Sequence, residues 1–262
     1  MVVQIAERAL YYGSLLLTVV LLWKIWKEGL QVKYRFLALY LLWNAIGGFI
    51  LLPIPRNTML YFYAYSFARF VQWILDVLIT LDLVSAITKR YVGIGTAARV
   101  AATVCLSVAT VAAVLTSMLD FSTAPATYPI ISTFQLVDRT ISFSVLAFLG
   151  LILAFLLWFP VHLSRNTVVY AAGFMLVFAA RFSTAILSNL LGYSPFLVLS
   201  TLQLGVFTCV LILWLVRLKS SNEQDETVIG HRWNPKEEGR LMAQLETVNE
   251  SLLRTTSKVN SR

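Results

Sequence analysis

The sequence predicts an all-α polytopic membrane protein. It should form a seven-transmembrane-helix bundle with the N-terminus outside and the C-terminus cytoplasmic, followed by a short C-terminal cytosolic helix. Three observations predict it. Hydrophobic residues make up 58% of the 262 and charged residues 13%, where soluble domains carry about 25% charged. The apolar residues gather into blocks long enough to supply the roughly 20 residues a helix needs to cross a bilayer. Lysine and arginine crowd into alternate connections between those blocks.

Helix is the expected state of each block because it satisfies its own backbone hydrogen bonds in lipid. The first span covers about 9–26 and is followed by the basic stretch KEGLQVKYR. The second, 36–52, ends at Pro53 and Pro55, and its Gly47 and Gly48 mark a local bend or a close helix contact. The third, 60–88, places Arg69, Asp76 and Asp82 in an otherwise apolar run. In the fourth, 97–118, Ala101, Cys105, Ala109 and Ala113 recur every four residues, a face suited to close packing. The fifth, 131–159, stops at Pro160, the sixth, 167–191, stops at Gly192, and the seventh covers 195–218. Residues 1–219 thus form the bundle. Every proline lies at a span end or in a loop, so no broken helix of the transporter kind is expected.

Orientation follows from the basic residues. One side receives Lys24, Lys27, Lys33 and Arg35, then Lys89, Arg90 and Arg99, then Arg165, then the tail. The other side receives Arg8 and Arg56. The richer side is expected to be cytoplasmic. The net charge of +8 is then a property of cytoplasmic loops, and nucleic acid is not an expected partner. Tyr11, Tyr61, Tyr63, Tyr128 and Tyr193 fall at outer span ends, and Trp26, Tyr34, Tyr91, Trp158 and Trp214 at inner ends, as interface belts. The first span has its basic residues after it and no small-residue cleavage site. It reads as a retained anchor.

Catalytic and cofactor signals are missing from the sequence. Cys105 and Cys209 both lie within spans, and no C-x-x-C occurs. There is no H-E-x-x-H, G-x-S-x-G or Walker loop, and His162 and His231 stand far apart. The seventh span has no central lysine for a Schiff base. No catalytic residue, metal ligand or cofactor is predicted.

After Lys219 the chain turns polar and acidic, and 220–233 reads as a flexible linker. A helix is predicted over 234–258. Asn234 can cap it, Pro235 suits its first position, and Glu237 sits where a capping-box acid belongs. Leu241, Leu245, Val248 and Leu252 follow at spacings of four, three and four, a short coiled-coil seam for partner binding. Four basic and four acidic residues cancel over 236–258, which disfavours a basic lipid-surface helix. Self-association, a cytosolic protein partner and docking beneath the bundle all fit this seam.

The seven-span layout, the charged third span and the closing RWNPKEEGRLMAQLETVNESLLR together resemble uncharacterised bacterial seven-transmembrane membrane proteins. The resemblance covers nearly the whole chain. It implies a multi-pass protein of the bacterial inner (plasma) membrane. It implies no activity, and no functional residue is carried over from it.

The charged residues within spans are the candidate site. A charge at membrane depth costs about 3 kcal/mol on insertion scales, so each needs a partner. Arg69, Gln72, Asp76 and Thr80 share one stripe of the third span. The fifth offers Gln135, Asp138, Arg139 and Ser142, and the sixth Arg181, Thr184 and Ser188. The expected ligand-binding set is Arg69, Gln72, Asp76, Asp138, Arg139 and Arg181, as a cluster opening outward. On depth, Arg69 should pair with Asp138, and Asp76 with Arg139 or Arg181. Three arginines against two aspartates leave one positive charge over. A small anionic or polar ligand suits that excess, and a water-filled cleft relieves it equally well.

Three functions fit these residues. The first is sensing a small polar or anionic ligand, with signalling through the cytosolic helix. The second is a small transporter or channel. The third is a structural or assembly component whose charges only hold helices together. A proton relay through Asp76 and Asp82 lacks a visible inner chain of acids.

Overall fold

The computed structural model describes residues 2–55, 58–88, 129–158, 161–191, 196–228 and 235–260, with isolated positions at 96, 100, 103, 104, 107 and 111. The predicted fourth span lies almost wholly outside the described residues. Seven helices are described: α1 (Val2–Lys27), α2 (Arg35–Leu51), α3 (Met59–Ile87), α4 (Pro129–Trp158), α5 (Arg165–Leu191), α6 (Phe196–Arg217) and α7 (Pro235–Asn260). The helices α4, α5 and α6 answer to the fifth, sixth and seventh predicted spans. Among the described residues, four helices are long and apolar enough to cross a membrane: Ile5–Lys27, Met59–Ile87, Arg165–Thr184 and Leu197–Arg217. Arg35–Leu51 and Thr140–Ala154 are shorter apolar stretches. An all-helical chain with such helices suits a membrane-embedded protein.

Local sequence sets the helix ends. Thr58 caps α3, its hydroxyl accepting from the Tyr61 amide at 3.2 Å. The Ser164 hydroxyl does the same for α5, accepting from the Thr167 amide at 3.3 Å. Past the end of α1, Gly29 takes φ +70°. The Leu30 amide reaches Ile25 O at 3.0 Å and the Gly29 amide reaches Trp26 O at 3.1 Å. This paired closure needs a left-handed residue, and Leu30 and Ile25 bury the apolar contact that goes with it.

The helices close into a ring. α1 packs on α2, α2 on α3, α3 on α4, α4 on α5, α5 on α6, and α6 back on α1. A core of Leu21, Leu37, Ile79, Phe174, Phe178 and Trp214 fills the middle. Two glycines permit close approach. A Cβ on Gly173 would lie 2.4 Å from Trp214 Nε1, and one on Gly48 would lie 2.8 Å from Leu15 Cδ1. Gly48 is therefore a contact glycine between α1 and α2. Trp214 and Tyr34, expected in an interfacial belt, are instead 0% and 2% exposed. Their rings fill the α5–α6 contact and the base of the core.

The directions of the helices are informative. Arg69 and Asp138, each in the third turn of its helix, are ion-paired. Ile87 and Leu156, each near the far end of the same two helices, share an apolar cluster. α3 and α4 therefore run parallel. α1 and α6 also run parallel, since Leu10 lies beside Gly205 and Lys24 Nζ donates to Leu215 O at 2.6 Å.

Residues 220–228 correct the expectation of a flexible linker. They hold a 3-10 helix (Ser220–Glu223) and a strand, β2 (Glu226–Val228), which pairs antiparallel with β1 (His162–Ser164). Polar side chains make this order. Asn166, fully buried, donates to Lys219 O at 2.8 Å and to Glu223 Oε2 at 3.0 Å. Glu223 also receives Tyr34 Oη at 2.9 Å and pairs with Lys33. Ser220 donates its amide to Glu28 Oε2 at 2.7 Å. Glu223, one of the acids that read as part of a solvated linker, is the side chain that fastens it. Residues 229–234, with the expected cap Asn234, lie outside the described residues.

α7 docks on the bundle. Leu245 is 2% exposed in a cluster with Ile87, Leu156, Val161 and Leu163, and Leu241 is also buried. Val248, expected in the same seam, is 50% exposed. The more buried stripe runs through Leu241, Leu245, Asn249 and Leu252, at spacings of four, four and three. Leu245 thus packs on the bundle, as the docking alternative for this seam expects. The contact follows an ordinary 3.6-residue helical face rather than a heptad seam.

Candidate functional site

The candidate site lies between α3, α4 and α5, with α2 behind it. On α3 the stripe Arg69, Gln72, Asp76 and Thr80 faces inward. Gln72, Asp76 and Thr80 are 4%, 1% and 0% exposed. Two ion pairs lie along it, their α3 members about 10 Å apart along the helix axis.

The deeper pair is Asp76 with Arg181. Arg181 Nη1 donates to Asp76 Oδ2 at 2.6 Å, and Gln72 Nε2 donates to Asp76 Oδ1 at 3.2 Å. Arg181 Nη2 reaches Tyr40 Oη at 3.3 Å. The guanidinium carbon lies 5.6 Å from the Phe178 ring centroid, within cation–π range. Both carboxylate oxygens of Asp76 are occupied. One turn on, Thr80 Oγ1 donates to Asp76 O at 2.8 Å.

The second pair is Arg69 with Asp138. Arg69 Nη2 donates to Asp138 Oδ2 at 2.6 Å, and Trp73 Nε1 donates to Asp138 Oδ1 at 2.9 Å. These two charged side chains are each 22% exposed. The Asp76–Arg181 pair, at 1% and 7%, is closed.

The expected partners are therefore met in position. Arg69 pairs with Asp138, and Asp76 takes Arg181 of its two candidates. The side chain of Arg139 lies outside the described residues. The two aspartates and two arginines that are described balance in charge. Among the described residues no group of His, Cys, Asp and Glu could hold a metal ion. Two polar contributors were not foreseen. Trp73 lies four residues after Arg69, on the same face of α3, and Tyr40 lies on α2, but aromatic residues in a span read as packing or interface.

A groove of about 600 Å³ lies elsewhere, lined by Leu10, Leu176, Leu202, Gly205 and Cys209. It is apolar, and neither ion pair lines it.

At the end that carries α7, a second polar network joins the turn after α1, the start of α5 and residues 219–223. Burial pushes the Tyr34 phenol above its ordinary value, with the Thr167 and Ser164 hydroxyls opposing. Tyr34 thus stays a hydrogen-bond donor to Glu223.

These features define a predominantly helical protein with membrane-length helices, an apolar core and two ion pairs between its helices. Compared with protein-family models, curated proteins and solved structures, the chain matches none of them.

Proposed function

We propose that the protein is a seven-span sensor of a small polar or anionic ligand in the bacterial inner membrane, with α7 as its cytosolic output. One observation carries this reading. α3 and α4 are bridged in their third turns by the partly exposed Arg69–Asp138 pair, and α7 sits across the opposite ends of the same two helices. A ligand that competes for Arg69 or Asp138 would loosen α3 from α4 where they are tied. It would thereby shift Ile87 against Leu156, beneath Leu245. The shift need only be small, because packed contacts switch between discrete arrangements.

Leu241, Leu245 and Leu252 serve both the dock and the coiled-coil spacing, so docking and self-association through α7 exclude one another. Release of α7 would expose the whole seam.

The span count and orientation rest on two arguments. α3 and α4 run parallel, which supports a further span at 97–118 between them. Lys24, Lys27, Lys33, Arg35, Arg165 and Arg217 gather at the end that carries α7, which favours that end as cytoplasmic.

A second reading, that the charges only hold the bundle together, is favoured by the balanced and closed Asp76–Arg181 pair. A transporter finds less support, since α3 and α5 run unbroken for 29 and 27 residues.

The test is cysteine accessibility at the dock. In a Cys105→Ser/Cys209→Ser background, Leu245→Cys should label slowly with a maleimide. Adding Arg69→Gln or Asp138→Asn should speed labelling several-fold. Equal rates with and without the broken pair would remove the sensing reading and leave the structural one.

A further inference from the structure

The end of the bundle that carries α7 holds more cations than its carboxylates engage. Lys24 lies 3.6 Å from Glu28, and Lys33 pairs with Glu223. Lys27, Arg35, Arg165, Arg217 and Lys219 are all exposed. Among the described residues none of these five has a carboxylate partner. Their places in the fold form a rim. Lys27 closes α1, Arg35 opens α2, Arg165 opens α5, and Arg217 and Lys219 close α6.

Large apolar side chains stand exposed at the same level. Trp23 and Trp26 are 62% and 60% exposed, and Val32, in the turn between α1 and α2, is 82% exposed. Two of the cations lie against aromatic rings. Lys27 Nζ is 5.1 Å from the Trp23 ring centroid, and the Arg35 guanidinium carbon is 4.7 Å from that of Phe36. Tryptophan at this level suits the boundary between acyl chains and headgroups. Lysine and arginine beside it lay their stems on apolar surface and lift their charge toward the phosphates.

We infer that this rim binds the headgroups of anionic phospholipids. Phosphate accepts charge-assisted hydrogen bonds from both guanidinium and ammonium donors, and an anionic leaflet attracts basic residues that lie within a Debye length of it. The exposed Trp23, Trp26 and Val32 favour a lipid over an acidic protein or free phosphate, because a lipid satisfies both the charges and the apolar side chains beside them. The inference rests on the chain being membrane-embedded with this rim at the bilayer surface. It does not rest on the sensing role, and the labelling experiment above can fail without touching it.

The experiment compares thermal unfolding of the full chain in nanodiscs of phosphatidylcholine alone and with about one third phosphatidylglycerol. The anionic discs should raise the midpoint by roughly 5 °C, and 0.5 M salt should remove most of the gain. The Lys27→Gln/Arg35→Gln and Arg217→Gln/Lys219→Gln variants should each lose part of it, and their midpoints in phosphatidylcholine alone show that they fold. Tryptophan quenching by brominated lipid supplies a second readout, and brominated phosphatidylglycerol should quench more than brominated phosphatidylcholine at equal content. Equal midpoints and equal quenching in the two lipids would overturn the inference. A midpoint raised as much by inorganic phosphate as by the anionic lipid, or a gain kept in the variant with all four substitutions, would also overturn it.

Discussion

Replacing Asp76 by Asn removes one charge and keeps the shape of the side chain. Arg181, 7% exposed, then retains the Tyr40 hydroxyl and the Phe178 ring but no anion. Breaking a buried pair by removing one partner costs about 3–5 kcal/mol, chiefly because the remaining charge is uncompensated. The 2.6 Å contact and the 1% exposure of Asp76 put this pair in that class. At about 2–4 °C per kcal/mol for a chain of this size, thermal unfolding of the purified protein should shift down by roughly 6–20 °C. Arg181→Gln alone should do the same from the other side. The double variant Asp76→Asn/Arg181→Gln leaves no stranded charge and should recover most of the loss. The cycle should report a coupling at least as large as either single loss, about 3–5 kcal/mol or more. Single variants within about 1 kcal/mol of the parent, or a double variant as unstable as the sum of the two, would show that the two charges are not coupled.

Other expectations follow from packing and the polar network. Gly173→Ala should cost about 1–3 kcal/mol by driving its Cβ into the rigid Trp214 ring, read as a lowered unfolding midpoint. Gly150→Ala, which meets nothing within 4 Å, should be neutral or gain up to about 1 kcal/mol. Glu223→Gln should weaken the hold on Lys33, and hydrogen exchange in β2 should rise while exchange in α3 stays unchanged. Tyr34 has a raised pKa in the folded chain, so its protonated form is favoured by folding. Its contribution is fully present below the ordinary phenol value of about 10 and is lost as pH rises through the higher folded value. Tyr34→Phe should remove that alkaline loss.

Much of the architecture was legible because bilayer chemistry is demanding. Apolar blocks, span-end prolines and the segregation of lysine and arginine located the described helices to within a few residues at most ends, α1 starting earlier than expected. Charged residues in a span need partners, and helical rise alone brought Arg69 to the depth of Asp138. Spacing could not choose between Arg139 and Arg181 for Asp76, since that depends on the rotation of neighbouring helices.

The order at 220–228 was hidden for another reason. A polar, acidic stretch has the composition of a linker, yet Glu223 and Asn166 are distant in sequence and acquire their roles only when α5 and α6 meet. The seam of α7 misled at Val248 because a spacing of four, three and four fits a coiled coil and nearly fits a docked helix. Only the surface beneath it, made by Ile87, Leu156 and Leu163, selects the 3.6-residue face.

The proposed function requires that the Arg69–Asp138 pair and α7 be coupled through α3 and α4. Spin labels at Val32→Cys, on the turn fastened by Glu223, and at Ala243→Cys, on the exposed face of α7, would report the separation of α7 from the bundle by pulsed electron resonance. In a Cys105→Ser/Cys209→Ser background the parent should give one narrow distance distribution. Adding Asp138→Asn should broaden it or add a longer component. A distribution unchanged by that substitution, in a protein that still folds, would rule out this coupling.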